Sequence, residues 1–277
     1  MKVIHISDIH IKNSIDKDRP IDVMLENAVK AIYNEVKGDN PDDVRIVMVG
    51  DIFHNKTKAS NEAKSMFHTF LNYINELGVQ TIIIAGNHDL IVGNKSVMDS
   101  ISPTFDINGV YENITYADME LDYKSGTIID DDAKIIWAVY SIIDKYKRPE
   151  IEIAKKQHPN YTVVGLYHGD LIGGTTATGR VVEDAIPFSD FEGCDCVMCG
   201  HIHLHQEIKQ EGIKFVYPGS LFQQNAGENI TGHGFVVWDL DNLEYKLVEV
   251  DNDYRIFRVI LDSYDDISDD KETLINL

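Results

Sequence analysis

Five short clusters of acid, amide and imidazole side chains stand where apolar runs stop. Asp8-Ile9-His10 follows VIHIS, Gly50-Asp51-Ile52-Phe53-His54 follows VRIVMV, and Gly86-Asn87-His88-Asp89 follows VQTIIIA. His168 closes YTVVGLYH, and Gly200-His201-Ile202-His203 follows CVMC. Carboxylate, imidazole and amide oxygen together form a ligand set for Mn²⁺, Fe²⁺ or Zn²⁺ that needs no thiolate. Asp8, His10, Asp51, Asn87, His168, His201 and His203 make seven candidate ligands. That is too many for one tetrahedral site and suits two ions sharing a bridging carboxylate. Paired ions about 3.5–4 Å apart clamp a phosphoryl group and generate a hydroxide nucleophile at neutral pH. Residues i and i+2 of an extended chain point the same way, so Asp8 with His10, and His201 with His203, are each expected to aim two ligands at one place.

Positioning such clusters calls for strands that end along one edge. Lys2 to Ser7, Val44 to Val49 and Val79 to Ala85 read as buried strands, separated by helical patterns over Pro20 to Lys37 and Ala59 to Leu77. Gly38 and Gly78 are placed to stop those helices. Strand, helix, strand, helix, strand is the signature of a parallel sheet carrying helices, whose carboxyl-terminal strand ends line the ligand crevice. From Gly109 to Ser141 the pieces VYENITY, MELDY, GTIID and KIIWAVY read as short strands. Further strands are expected at Tyr161 to Tyr167, Asp195 to Cys199, Lys214 to Tyr217, Gly234 to Leu240 and Glu244 to Val250. The whole is an α/β chain of two stacked sheets flanked by helices. Gly169 to Pro187 reads as an exposed loop, and Arg255 to Leu261 as one more strand before an acidic end.

Composition narrows the class. With 277 residues, 43% hydrophobic and 26% charged, the chain can bury a substantial core. No apolar run nears the roughly 18–20 residues that span a bilayer, and MKVIHISDIH is polar too early for a signal peptide. Cys194, Cys196 and Cys199 form no secreted disulfide framework, so an intracellular, cytoplasmic protein with reduced thiols is expected. Alternation places Cys194 and Cys196 on one strand face and Cys199 on the other, poor geometry for zinc, and the three read as core residues. Among the remaining histidines, His5 is expected in or near the first strand, His68 and His158 at the surface, and His205 near the rim without a ligand role.

The ordered set D-x-H, GD, GNHD and GHxH resembles the calcineurin-like metallophosphoesterase superfamily, over roughly the first 240 residues. GDIFH, with a histidine three residues after Asp51, together with GHIH and the YPGS at Tyr217 to Ser220, is similar to the SbcD-type nucleases of double-strand-break repair. The resemblance implies an αββα sandwich with a dinuclear centre, Asp8, His10 and His203 on one ion, Asn87, His168 and His201 on the other, and Asp51 bridging. It implies that His88 assists at the scissile phosphate, that His54 contacts the phosphate, and that Asp89 orients His88 by accepting its second N–H. It further implies two divalent ions per chain, Mn preferred and Mg, Fe or Zn as options. The expected activity is exonuclease, and endonuclease near ends, on linear duplex DNA in repair or recombination. An SbcC-type ATPase partner and a homodimer are expected with it. The short, acidic, Ile- and Asn-rich chain fits a phage version acting in the host cytoplasm. Residues 1–240 are read as the nuclease domain and 241–277 as a C-terminal extension, the start of a capping domain cut short.

Charge complicates this. Lys plus Arg is 25 and Asp plus Glu is 46, a formal net charge of −21, whereas DNA binders gain affinity by neutralising phosphates. The basic residues nearest the motifs are Lys12, Lys17 and Arg19, Lys56 and Lys58, Lys95, and Arg180 in the Gly/Thr loop. They are taken as a positive rim on an acidic body. Two alternatives stand beside the nuclease: a phosphodiesterase for a cyclic nucleotide or other small phosphodiester, and a catalytically weak protein-binding scaffold.

Overall fold

The computed structural model describes residues 1–13, 19–56, 58–94, 97–106 and 110–257. In chain order the strands are β1 (Lys2–Ile6), β2 (Val44–Val49), β3 (Gln80–Ile84), β4 (Ile114–Tyr116), β5 (Gly126–Asp130) and β6 (Ile135–Tyr140). Then come β7 (Thr162–His168), β8 (Cys196–Gly200), β9 (Gln206–Gln210), β10 (Ile213–Tyr217), β11 (Gly234–Asp239) and β12 (Glu244–Glu249). The α-helices are α1 (Ile21–Val36), α2 (Asn61–Glu76), α3 (Ser102–Phe105), α4 (Ala117–Glu120) and α5 (Ile151–Gln157).

Two six-stranded sheets form, ordered β12-β11-β1-β2-β3-β4 and β5-β6-β7-β8-β10-β9. β1 to β4 run parallel, as do β6, β7, β8 and β10, while β11, β12, β5 and β9 are antiparallel to their neighbours. Pairing of β12 carries the first sheet past residue 240. Val47, Val49, Trp137, Val164, Met198 and Trp238 fill the space between the sheets. On the outer face of the first sheet, α1 buries Ile21, Met24, Leu25, Ala28, Ile32 and Val36, the residues its 3.6-residue spacing selects. α2 buries Ala63, Phe67, Phe70, Leu71 and Ile74, and Ser60 caps it by accepting from the Ala63 N–H at 3.1 Å. Ile151 and Ala154 of α5 cover the second sheet's outer face.

Several expectations need correction. MELDY is no strand: α4 gives one helical turn, then Asp122 and Tyr123 adopt positive φ. The turn buries Asp118, which accepts from the Ala85 N–H at 2.8 Å and from Ser141 Oγ, joining the end of β3 to the end of β6. Cys194 precedes β8, so it packs with Cys199 on the outer face while Cys196 faces the other sheet. The loop from Gly169 is anchored, with Leu171 and Val182 buried in the outer core. The expected Arg255 to Leu261 strand lies outside the described residues from 258 onward, and 255–257 are not in a strand.

At the far end of the sandwich, Arg45 of β2 makes a two-pronged pair with Asp130 of β5, Nε to Oδ2 at 2.6 Å and Nη2 to Oδ1 at 3.0 Å. Arg45 is 2% exposed, so removing its partner leaves a buried cation. Asp130→Ala is expected to destabilise the fold by about 3 kcal/mol in denaturant titration. A loss below ~1 kcal/mol would mean that the carbonyls of Asp42 and Val44, which also accept from Arg45, are sufficient alone.

Candidate metal centre

β1 and β2 do not stop cleanly. After Ile6 and Val49 the backbone turns left-handed at Asp8 (φ 53°), His10 (φ 53°) and Asp51 (φ 52°). Cross-strand bonds then resume, Asp8 N–H to Gly50 O at 3.1 Å, His10 N–H to Asp51 O at 3.0 Å and Ile11 N–H to Ile52 O at 2.8 Å. Asp8 and His10 therefore converge through a pinned, strained turn rather than through extended alternation. His201, at φ 98°, is turned as well. His201 and His203 do not serve one place: they separate into different clusters.

Asp8, His10 and His203 form one cluster, and Asp51, His168 and His201 the other, each able to hold a cation. In the first, His10 Nε2 and His203 Nε2 lie 3.0 Å apart, and Asp8 Oδ1 is 3.7 and 3.5 Å from them. Asp8 Oδ1 is buried with no hydrogen-bond partner. A carboxylate oxygen and two ring nitrogens facing one point fit a divalent ion. In the second, His168 Nε2 is 3.3 Å from Asp51 Oδ1, and Asn87 Oδ1 is 3.3 Å from His168 Nε2 and 2.8 Å from His201 Nδ1. Asp51 Oδ2 is also 3.6 Å from His10 Nε2, which sets Asp51 between the clusters.

The strand ends approach so closely that side chains are excluded. A Cβ on Gly50 would lie 2.3 Å from His168 Nδ1, on Gly86 2.2 Å from Asp51 N, and on Gly200 2.1 Å from Val49 O. Burial alone would push the carboxyl groups of Asp8 and Asp51 up. The imidazoles of His10 and His203 beside it outweigh burial at Asp8, and the His168 charge does so at Asp51, so Asp8 is held well below the carboxylate range and Asp51 at about 2. Burial likewise opposes charge on the imidazoles, yet Asp51 raises His168 to about 9, and Asp8 and Glu228 raise His203 to about 10. His201, buried beside His168, is lowered.

The other singled-out residues fall unevenly. His88 is half-buried, its Nδ1 2.7 Å from His54 O and its N–H on Asp51 Oδ1 at 2.7 Å. His10, His54 and His88 bring ring nitrogens close together, with ring centroids 4.9–5.8 Å apart. Burial and then the neighbouring His10 lower His54 to about 4. Asp89 does not hold His88. Its buried carboxylate accepts from the backbone N–H groups of Ile52, Phe53 and Gly86 at 2.8–3.2 Å, and burial followed by Asp51 raises it to about 8. Arg19 does not line a rim either, because its guanidinium donates to the carbonyls of Gln223 and Tyr254. Lys56, Lys58 and Arg180 are exposed and Lys12 is half-buried, while Lys17 and Lys95 lie outside the described residues. Two residues escaped the sequence reading. Asp170 stands 3.6 Å from His201 Nε2, and its place two residues after His168 was a usable signal. Glu228 accepts from His203 Nδ1 at 2.8 Å, and nothing in its polar loop marks it.

The family description "Calcineurin-like phosphoesterase" matches residues 1–205. The uncharacterized protein R555 of Acanthamoeba polyphaga mimivirus is 33% identical over 258 residues, 91% of this chain and 18% of that protein. The DNA double-strand break repair protein Mre11 of Nanoarchaeum equitans is 27% identical over 160 residues, 54% of this chain and 43% of its own length. An SbcCD nuclease subunit from Staphylococcus epidermidis is 24% identical over 265 residues, 87% of this chain and 67% of its own. This chain thus spans less than half of the first two relatives. Among solved structures, TT1561 of Thermus thermophilus aligns with a TM-score of 0.54 at 10% identity, over 90% of this chain and 99% of that one. A dimetal phosphatase from Danio rerio gives 0.50 at 11% identity, over 86% and 91%. Both likenesses concern the fold.

Ligand nitrogens must be unprotonated to bind a cation, yet without one His168 and His203 keep their protons up to about pH 9 and 10. Binding of Mn²⁺ at pH 7.5 is therefore expected to release protons, and its affinity to rise as pH goes from 6.5 to 9. Calorimetry in buffers of different ionisation enthalpy measures both. An affinity flat across that range would contradict the assignment of these charges.

Proposed function

This chain belongs to the calcineurin-like phosphoesterase family, and from that premise we propose that it is a metal-dependent DNA nuclease, cutting phosphodiesters from the ends of linear duplex. The observation that carries the reading is the placement of His88 and His54 directly beside the two ligand clusters, with His88 fixed through both its ring and its backbone. DNA as substrate is supported by likeness to a double-strand break repair protein and a nuclease subunit. An SbcC-type ATPase partner and a homodimer belong to the same reading, as does a C-terminal extension over 241–277.

Asp8, His10 and His203 would hold one ion and Asn87, His168 and His201 the other, with Asp51 between the two clusters. When bound, two divalent ions, Mn in this reading, offset phosphate charge and lower the pKa of water. His88, once protonated, donates Nδ1–H to the His54 carbonyl, which aims Nε2–H outward to protonate the departing sugar oxygen. His54 presents an uncharged ring at the crevice, suited to contact a phosphate oxygen or a base face. Asp89 supports the centre from below by holding the Ile52–Phe53 and Gly86 backbone in place. The exposed Lys56 and Lys58 attract the DNA backbone.

A second reading, a small phosphodiester as substrate, is favoured by the net charge of −21. Linear duplex labelled at the 3′ or 5′ end, incubated with Mn²⁺, separates the two. Early loss of one label is expected, whereas intact DNA beside rapid hydrolysis of a small phosphodiester would reverse the assignment. His88→Ser is expected to keep both metal equivalents and slow cleavage by about 10²–10⁴-fold, and Asp51→Asn to lose both metals. Full cleavage by the His88 variant would remove that histidine from the mechanism. Neutralising Lys56 and Lys58 together should weaken DNA binding and flatten its salt dependence, and an unchanged slope would show that they do not meet the backbone.

A further inference from the structure

The loop after β10 closes over the Asp8–His10 turn. Leu221 N–H donates to Asp8 O and Gln224 Nε2 to Ile9 O, each at 3.3 Å. At its end sits Glu228, 6% exposed. One carboxylate oxygen accepts from His203 Nδ1 at 2.8 Å and Asn225 Nδ2 at 2.7 Å. The other accepts from Gln224 N–H at 2.7 Å and Ser220 Oγ at 3.3 Å. Three donors from its own loop thus lock the carboxylate, and the fourth direction is left for the ring of His203. An ionised carboxylate can only accept, so a neutral ring must carry its proton on Nδ1 and turn the bare Nε2 toward Asp8 and His10. Two neighbouring histidines, His168 and His10, lack such a carboxylate at Nδ1. His168 Nδ1 meets the uncharged carbonyl of Val49 at 2.7 Å, and His10 Nδ1 has no hydrogen-bond partner.

We propose that Glu228 is a positioning residue for His203, fixing its tautomer and ring plane, so that a loop beyond the family-matched residues 1–205 completes the first cation site. This rests on the reading that Asp8, His10 and His203 hold a divalent ion. Removing an acceptor of this kind costs about 10–100-fold in metal affinity.

Calorimetric titration with Mn²⁺ of the wild type, Glu228→Gln, His203→Ala and the double variant tests it. Two equivalents are expected for the wild type. Glu228→Gln should bind one of them about 10–100-fold more weakly and the other unchanged, and it should add no loss in the His203→Ala background. Unaltered binding by Glu228→Gln overturns the proposal. So does an equal loss with and without His203, which would mean general loosening of the loop. Fewer than two equivalents in the wild type defeats the two-ion reading and the proposal with it. If Glu228→Gln does not fold, two-bond ¹H–¹⁵N correlation on the Zn²⁺-loaded wild type decides: a His203 proton on Nδ1 is expected, and a proton on Nε2 overturns the assignment.

Discussion

The centre depends on strand ends from two separate sheets coming closer than a Cβ permits. Gly50, Gly86 and Gly200 stand where any side chain would drive into His168, Asp51 or the Val49 carbonyl. That closeness lets Asp51, from the first sheet, face His168, from the second, at 3.3 Å. It also places non-glycine residues in left-handed backbone at Asp8, His10 and Asp51, a strain of about 1–3 kcal/mol each. The cross-strand bonds resuming at Ile11 and Ile52 hold it. Arg45 with Asp130 at one end of the sandwich, and Asp118 at the other, tie the sheets so that the approach is fixed on both sides.

Electrostatics follows from that geometry. Two carboxylates buried a few ångströms from several imidazoles keep their charge only because the rings supply positive charge in return. Asp89, close to Asp51 and without an imidazole partner, is the counter-case. Three backbone N–H groups do not offset its burial, and it is pushed toward the neutral acid. The same side-chain type thus stands in the candidate ligand clusters above and serves as a backbone clamp below.

Elements governed by local periodicity were readable. The buried faces of α1 and α2 match their apolar spacing, and the polar clusters following β1, β2, β3, β7 and β8 were visible because nothing structural requires a carboxylate or imidazole there. Where partners come from far along the chain, the reading failed. MELDY alternates like a strand, yet Asp118 is drawn inside by Ala85 and Ser141. Cys194 and Cys196 have strand parity, but the strand begins only at Cys196. Arg19 looked like a rim charge until carbonyls more than two hundred residues away accepted from it.

By itself the sequence determined the inventory: seven candidate ligands at strand ends, the helix faces, and the order of motifs that marks the family. Alternation along the chain would pair His201 with His203, and only the tertiary structure sends them to different clusters, the division that the family resemblance implied. The tertiary structure also decided which acids serve the centre, withdrawing Asp89 from His88 and recruiting Glu228 to His203. The reason is physical. Periodicity is a property of neighbouring residues, whereas a hydrogen-bond partner is chosen by whichever loop the packed sheets bring within about 3 Å.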